Sequence, residues 1–415
     1  MQNFNPVRGT YDYLPKDAKI REAVRQIILE NYQSNGFNLI STPILENLKY
    51  LTSSDGGDNL KLMFKTVKRG DKLNLSKENL TLSDIVEEGL RYDLTVPLAR
   101  FYANNRDVLP NPFKSIQIDC AFRAERPQRG RNRQFVQCDI DIIGDKTINA
   151  ELELLCVAIE TLSQLNFKNL TVKINHKQLL NAICLFAGFK EEEISTVCVT
   201  LDKLDKISLT GVTMELIEKG FETEIINRLI EVLNDINANG IEASLKYGVA
   251  PEIVNDLQFL ISTLNQITGN KHMVKFDVSI VRGQGYYTGA VFEIYAPNFG
   301  GAISGGGRYD KMVGKITGND APAVGLSLGF EPITLILKEA GENLNMLPNL
   351  ALVYDEQDDI KKVFEIKNEL RKNYNVSIFA RQKNMKNFYD KIGEVADYCT
   401  SVKDYLDNKP VKSLK

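Results

Sequence analysis

The stretch 115–144 commits this chain to an antiparallel sheet more firmly than any other. Its two arms alternate apolar and polar residues around a loop that contains Pro127 and Gly130. Alternation at period 2 marks a strand with one face in a core, and two such arms around a proline–glycine loop predict a long hairpin. On the second arm Gln137, Asp139 and Asp141 fall on one face. A face that polar is poor core material and suits the wall of a wet pocket that would accept hydrogen bonds from an ammonium group. Between the arms Arg123, Arg126, Arg129, Arg131 and Arg133 occur within eleven residues. Guanidinium binds phosphate oxygens through paired, charge-assisted hydrogen bonds. A solvated basic loop is the other reading; the interleaved Glu125 and Gln128 and the tight turn weigh against it.

Around this hairpin the chain reads as a mixed α+β protein. Ile20, Val24, Ile27, Ile28 and Tyr32 recur at helical spacing over 17–35, Gly36 stops the helix, and 37–42 is extended up to Pro43. Residues 53–82 are polar and read as loops or a local hairpin; 90–103 reads as a strand running into a helix. A helix follows over 150–165, and 180–270 is dominated by helical patterns, a helical domain inserted into a sheet-based one. Strand signals return at 275–282, 290–295 and 323–328. Beyond Pro348 comes a small β-α-β-α pattern with a polar, tail-like end. The expected organisation is 1–175 and 271–345 as two parts of one core, 176–270 as the insertion, and 346–415 as a small α/β module.

Several function classes are excluded or lack support. There is no Gly-x4-Gly-Lys-Ser/Thr loop and no Gly-x-Gly-x-x-Gly between a strand and a helix, so phosphate binding must use side chains. Two histidines and six scattered cysteines without a Cys-x-x-Cys pair give no zinc-ligand spacing and no metal site made by protein groups alone; the thiols read as reduced. A net charge of -3 makes the whole surface no polyanion trap. The first residues have no apolar signal-peptide core, and no apolar run approaches the ~18 residues of a membrane span, so a cytoplasmic protein is expected.

Three further blocks could carry chemistry. Asp93 and Thr95 sit on a strand-to-helix turn, where either caps the helix or faces a ligand. Residues 281–295 put Arg282 at a turn beside Tyr286 and Tyr287; on a regular strand adjacent tyrosines point to opposite faces, so only one could line a pocket. Gly305, Gly306 and Gly307 precede Arg308, Tyr309 and Asp310, which reads as a glycine-rich turn that could admit a flat ligand.

Taken together and in order, these blocks resemble the histidyl-tRNA synthetases, a family of class II aminoacyl-tRNA synthetases. The helix-to-Pro43 unit resembles motif 1, FRAERPQRGRNRQFVQ resembles motif 2, VRGQGYYTGAVFEI resembles the histidine-binding signature, and SGGGRYDKMVGK with PAVGLSLGFE resembles motif 3 and its approach. The resemblance implies an antiparallel sheet of six or seven strands flanked by helices, with the C-terminal module as a shortened anticodon-binding domain. It implies ATP with Mg2+, L-histidine and tRNA(His) as ligands, and a homodimer through motif 1. It implies that Arg123 holds the α-phosphate, Arg131 and Arg133 the outer phosphates, and Glu125 the adenine end or a magnesium ion. Arg282 would be the second catalytic arginine. Asp93, Thr95, Gln137 and Asp141 would hold the substrate's amino group, and Tyr286, Tyr287 and Tyr309, with Arg123 and Arg282, complete the histidine site. One departure stands out: motif 3 ends Gly-apolar-Glu-Arg in the family, whereas here it reads Gly329-Phe330-Glu331-Pro332. Two functions follow, a histidine–tRNA ligase or a histidine-sensing relative such as the regulatory subunit of ATP phosphoribosyltransferase.

Overall fold

The computed structural model describes residues 4–53, 62–281, 286–342, 344 and 346–414. They form two compact units, one of Met1–Thr10 with Ile27–Ile336 and one of Tyr11–Gln26 with Leu337–Lys415. Helix α1 (Pro15–Ser34) contributes to both.

In the first unit β1 (Asn38–Leu39), β2 (Leu45–Asn47) and α2 (Leu48–Ser53) precede β3 (Lys65–Val67), α3 (Leu82–Ile85), β4 (Val86–Leu90) and α4 (Thr95–Asn105). The hairpin follows as β5 (Phe113–Phe122) and β6 (Gln134–Ile143), then α5 (Asn149–Gln164) and β7 (Thr171–His176). Five helices come next: α6 (Lys177–Ala187), α7 (Glu191–Leu201), α8 (Leu204–Glu218), α9 (Thr223–Asn239) and α10 (Pro251–Ile267). The sheet resumes with β8 (Met273–Phe276), β9 (Ala290–Tyr295) and β10 (Ala302–Arg308), and after α11 (Gly314–Thr317) come β11 (Ala323–Gly329) and α12 (Phe330–Ala340).

Eight of these strands form one sheet in the order β1-β5-β6-β11-β10-β9-β7-β8. The centre is antiparallel, as expected, but both outer pairs, β1 with β5 and β7 with β8, are parallel. A face of this sheet runs continuously through Gln117, Asp139, Ser327, Gly305, Glu293 and Lys173, because directly paired residues share a face. The middle of that row, Asp139, Ser327, Gly305 and Glu293, lines the site described below. The helices α6–α10 bury apolar stripes against one another; Ile226, Leu229, Val232, Leu233 and Ile236 do so along α9.

Four sequence expectations about the first unit are corrected. The local hairpin at 53–82 does not form: β3 pairs with β4, about twenty residues downstream, and Gly70–Lys72 is a single 3-10 turn; residues 54–61 lie outside the described residues. The strand at 37–42 is two residues long. The strand at 275–282 ends at Phe276, and Arg282 itself lies outside the described residues. The glycine-rich turn is the strand β10, whose glycines are required by packing: a methyl on Gly306 would stand 2.1 Å from the Gly325 carbonyl oxygen, and one on Gly307 2.8 Å from the Tyr287 ring.

The second unit is a sheet in the order β13-β12-β14-β15, formed by β12 (Asn349–Tyr354), β13 (Asn375–Ala380), β14 (Tyr398–Ser401) and β15 (Lys412–Ser413). The helices α13 (Ile360–Leu370), α14 (Met385–Ile392) and α15 (Val402–Leu406) complete it. β12 is buried on both faces: Leu350 and Leu352 meet Val363, Ile366 and Val402, while Ala351 and Val353 meet Phe388 and Ile392. That two-sided burial is what a parallel central strand requires. The end of the chain is not a tail; it adds β15 antiparallel to β14. Among the described residues no helix is long and apolar enough to cross a membrane.

Candidate active site

A cleft of about 720 Å³ opens over the polar face of the first unit's sheet. Its floor is set by register. Gln137, Asp139 and Asp141 on β6 lie opposite Gly329, Ser327 and Gly325 on β11, so every long polar side chain faces a small residue. The fit is close: a methyl on Gly325 would fall 1.9 Å from Asp141 Oδ1. The alternation of Gly and Ser at 325, 327 and 329 was a period-2 signal in the sequence that complements the one on β6.

The floor holds three buried carboxyl groups. Asp141 accepts a 2.6 Å hydrogen bond from Tyr309 Oη. Burial raises its pKa to about 7, against the Tyr309 bond that lowers it, and the nearby Asp93 adds to the rise. Asp139 is pushed well above the usual carboxylate range by burial first and by the Asp141 charge second. Asp93 is raised by burial, which outweighs its helix-cap bonds and the Arg123 charge. Gln137 Nε2 reaches both Asp139 oxygens at 3.4 Å.

Of the two sequence alternatives for Asp93, the helix cap is the one seen. Its Oδ1 accepts from the Val96 N–H at 3.2 Å, capping the start of α4. Its Oδ2 has no partner among the described residues, and the same holds for Gln137 Oε1 and Asp141 Oδ2. Three acceptor oxygens buried without partners carry a substantial desolvation cost unless a donor arrives. A cationic ammonium supplies three N–H donors and a charge that ionised carboxylates favour.

One wall is aromatic. Tyr286 and Tyr287 both line the cleft, which corrects the expectation that only one could. The reason is that they precede β9, which starts at Ala290, and so escape strand alternation. Their ring centroids are 4.8 Å apart, and Tyr286 meets Tyr309 edge-on at 6.1 Å.

The mouth is the arginine loop. Arg123 follows β5, donates Nε to the Tyr92 carbonyl at 3.0 Å and lies over the Phe135 ring at 5.0 Å. Glu125, Arg129 and Arg131 also line the cleft, as does Thr95. Arg133 does not; its Nε donates to the Glu125 carbonyl and its backbone to Gly9, so it braces the loop from behind. Asp93 does not line it either; it is buried, near enough to Asp139 and Asp141 for its charge to act on theirs. Arg308 is turned away altogether, bound through two 2.6 Å contacts to the buried Glu151. Asp139 lines the cleft with its neighbours on that face, and residues the sequence reading left without a role line it too: Glu293, Phe299 and Glu331. Among the described residues no group of three metal-binding side chains occurs, so a divalent cation here would depend on ligands brought by an anion, with Glu125 as the nearby carboxylate.

An ammonium-accepting floor, an aromatic wall and a cationic mouth in one cleft suit a zwitterionic amino acid next to a polyphosphate. The comparisons agree. Residues 9–333 match the family model described as histidyl-tRNA synthetase. The chain is 38% identical over 407 residues to the histidine--tRNA ligase of Leifsonia xyli subsp. xyli (strain CTCB07), covering 93% of this chain and 92% of that one. Its fold matches the histidyl-tRNA synthetase of Nostoc sp. PCC 7120 with a TM-score of 0.74, at 24% identity over 98% and 94% of the two chains. It matches equally well, at a TM-score of 0.74, a Bacillus halodurans C protein titled as an ATP phosphoribosyltransferase regulatory subunit/histidyl-tRNA synthetase, with 21% identity over 96% and 97% of the chains. Fold alone therefore does not separate a ligase from a regulatory relative.

Proposed function

The chain belongs to the histidyl-tRNA synthetase family, and from that premise we propose that it is a cytoplasmic, homodimeric histidine–tRNA ligase. The reading rests on the partnerless oxygens of Asp93, Gln137 and Asp141 lying beneath a mouth lined by Arg123, Glu125, Arg129 and Arg131. The floor receives the ammonium group of L-histidine, and Tyr286 and Tyr287 flank its ring. The histidine carboxylate is thereby directed at Arg123. There it attacks the α-phosphorus of ATP; a new C–O–P linkage forms, the bond to the β-phosphate oxygen breaks, and pyrophosphate leaves. Two anions must meet in this step, so fixed guanidinium charge lowers the barrier by stabilising charge in the transition state. Arg282 is assigned the role of the second catalytic arginine. Glu125 would be the protein carboxylate for a Mg2+ bound with the phosphates, and that ion would supply charge neutralisation for the leaving group. In the second step a terminal ribose hydroxyl of tRNA(His) attacks the acyl carbon, its proton is lost and AMP leaves.

A histidine sensor would share the floor but would have no use for the arginine-lined mouth. Histidine-dependent ATP–pyrophosphate exchange separates the two. Exchange is expected with histidine and absent without it. Tight histidine binding with no exchange would make the protein a sensor.

A further inference from the structure

The chain belongs to the first unit up to Thr10, although the residues that follow, Tyr11–Gln26, belong to the second. Chain continuity therefore does not place this segment in the first unit; its own contacts do. Every residue from Phe4 to Arg8 is exposed, and Gly9 is then buried. A turn makes the change. The Thr10 N–H donates to the Val7 carbonyl at 2.9 Å and Thr10 Oγ1 donates to the same oxygen at 2.7 Å, which closes four residues with Gly9 as the third. Gly9 has φ +85°, the sign that the third residue of a type II turn requires.

This turn is bonded to the root of the arginine loop. The Gly9 carbonyl accepts from the Arg133 N–H at 2.8 Å, and the Arg133 carbonyl accepts from the Arg123 N–H at 2.8 Å. Three backbones are thereby joined in a row: the N-terminal turn, the returning limb of the loop, and the outgoing limb that carries Arg123. The sheet does not reach this far. β11 ends opposite Gln137, and β5 pairs with β6 only as far as Gln134, so Arg133 lies outside both ladders. Packing enforces the arrangement as well. A Cβ at residue 9 would stand 2.8 Å from both Pro127 Cγ and Arg133 Cγ, too close for carbon atoms without displacement. Neither atom is free to swing away. Pro127 Cγ is part of a ring, and the Arg133 side chain is tied at Nε to the Glu125 carbonyl at 3.1 Å.

We propose that Val7–Thr10 is a strap that fixes the root of the arginine loop and, through Arg133, the position of Arg123 in the cleft. Gly9 is thus a positioning residue that acts through Arg133 and Arg123. That Arg123 serves ATP rests on the reading given above; the strap itself does not.

Two measurements judge the two parts separately. Trypsin cuts the Arg133–Gln134 bond only when that backbone leaves its partners, and cleavage then follows the open population. In the full-length protein, cleavage there should rise about tenfold in Gly9→Ala and further in Gly9→Val. It should stay at the wild-type rate in Val7→Ser, whose side chain is exposed, with far-UV circular dichroism unchanged in all three. In ATP–pyrophosphate exchange, Gly9→Ala should raise KM for ATP about tenfold and leave KM for histidine within about twofold, because the floor and the tyrosine wall are not attached to the strap. Cleavage at the wild-type rate in both Gly9 variants overturns the strap. Raised cleavage with an unchanged KM for ATP, or with an equal rise in both KM values, overturns its role in placing Arg123. Absence of exchange in the wild type would instead refute the ligase reading, and with it the role given to Arg123, while the cleavage result still decides the strap.

Discussion

Asp141 shows how much chemistry one residue can take from its surroundings. Burial raises its carboxyl to about 7, so it changes charge near neutral pH. A raised folded-state pKa contributes stability that is full below the unfolded value of 3.8 and is lost as pH climbs through about 7. Asn cannot ionise. Asp141→Asn should therefore gain stability relative to wild type between pH 4 and pH 8, by on the order of 2–4 kcal/mol, measured from urea midpoints at both ends. The same variant should bind histidine more weakly. A stability difference that does not change with pH would mean that the carboxyl is ionised throughout. At this scale the sequence was informative where spacing alone decides: Gln137, Asp139 and Asp141 share a face because strands alternate. It was silent where three-dimensional neighbours decide. Nothing local in the sequence tells that Asp93 would cap α4 and lie buried outside the cleft lining, or that Arg133 would brace the loop instead of lining the cleft.

Among the elements, the β5–β6 hairpin was legible because both arms carry strong alternation and the turn residues sit between them. The strand β10 was not, because three glycines have no side chains to alternate; they are hemmed in by Phe292 on β9, Tyr287 just before it and the Gly325 carbonyl on β11. The pairing of β3 with β4 was missed for another reason, since local propensity favours a nearby partner and the real one is distant. Arg308, at the end of β10, fastens that strand to α5. It is 10% exposed, and its partner Glu151 only 1%. Removing one member of such a pair leaves a buried charge without compensation. Arg308→Met should cost about 3–5 kcal/mol of unfolding free energy by urea titration, with the Glu151→Leu/Arg308→Met double variant recovering much of it. A loss below about 1 kcal/mol in the single variant would show that the pair adds little.

For the whole molecule, the eight-stranded sheet ends at β1, a two-residue edge with Leu39 exposed at 47% and Ile44 and Leu45 exposed nearby. Apolar surface beside an open strand edge invites a partner. Sedimentation equilibrium at micromolar concentration should give twice the 46.7 kDa chain mass, and a single-chain mass would refute the homodimer. The succession of element types, sheet strands, then the helices α6–α10, then an α/β end, was readable from the change of period along the sequence. The sheet order, which depends on contacts far apart in the chain, was not. That order has a bearing on how the molecule can be shortened. β7 and β8 are parallel neighbours, Thr171 beside Met273, and α6–α10 carry the chain from the end of one to the beginning of the other. Parallel neighbours cannot be joined by a tight turn; the return path needs a dozen residues or more. The helical stretch is therefore the sheet's own bridge as well as a body in its own right. A minimal version that excises it must keep one helix-length span in its place, and a direct splice of 176 to 273 would break the sheet at its far edge.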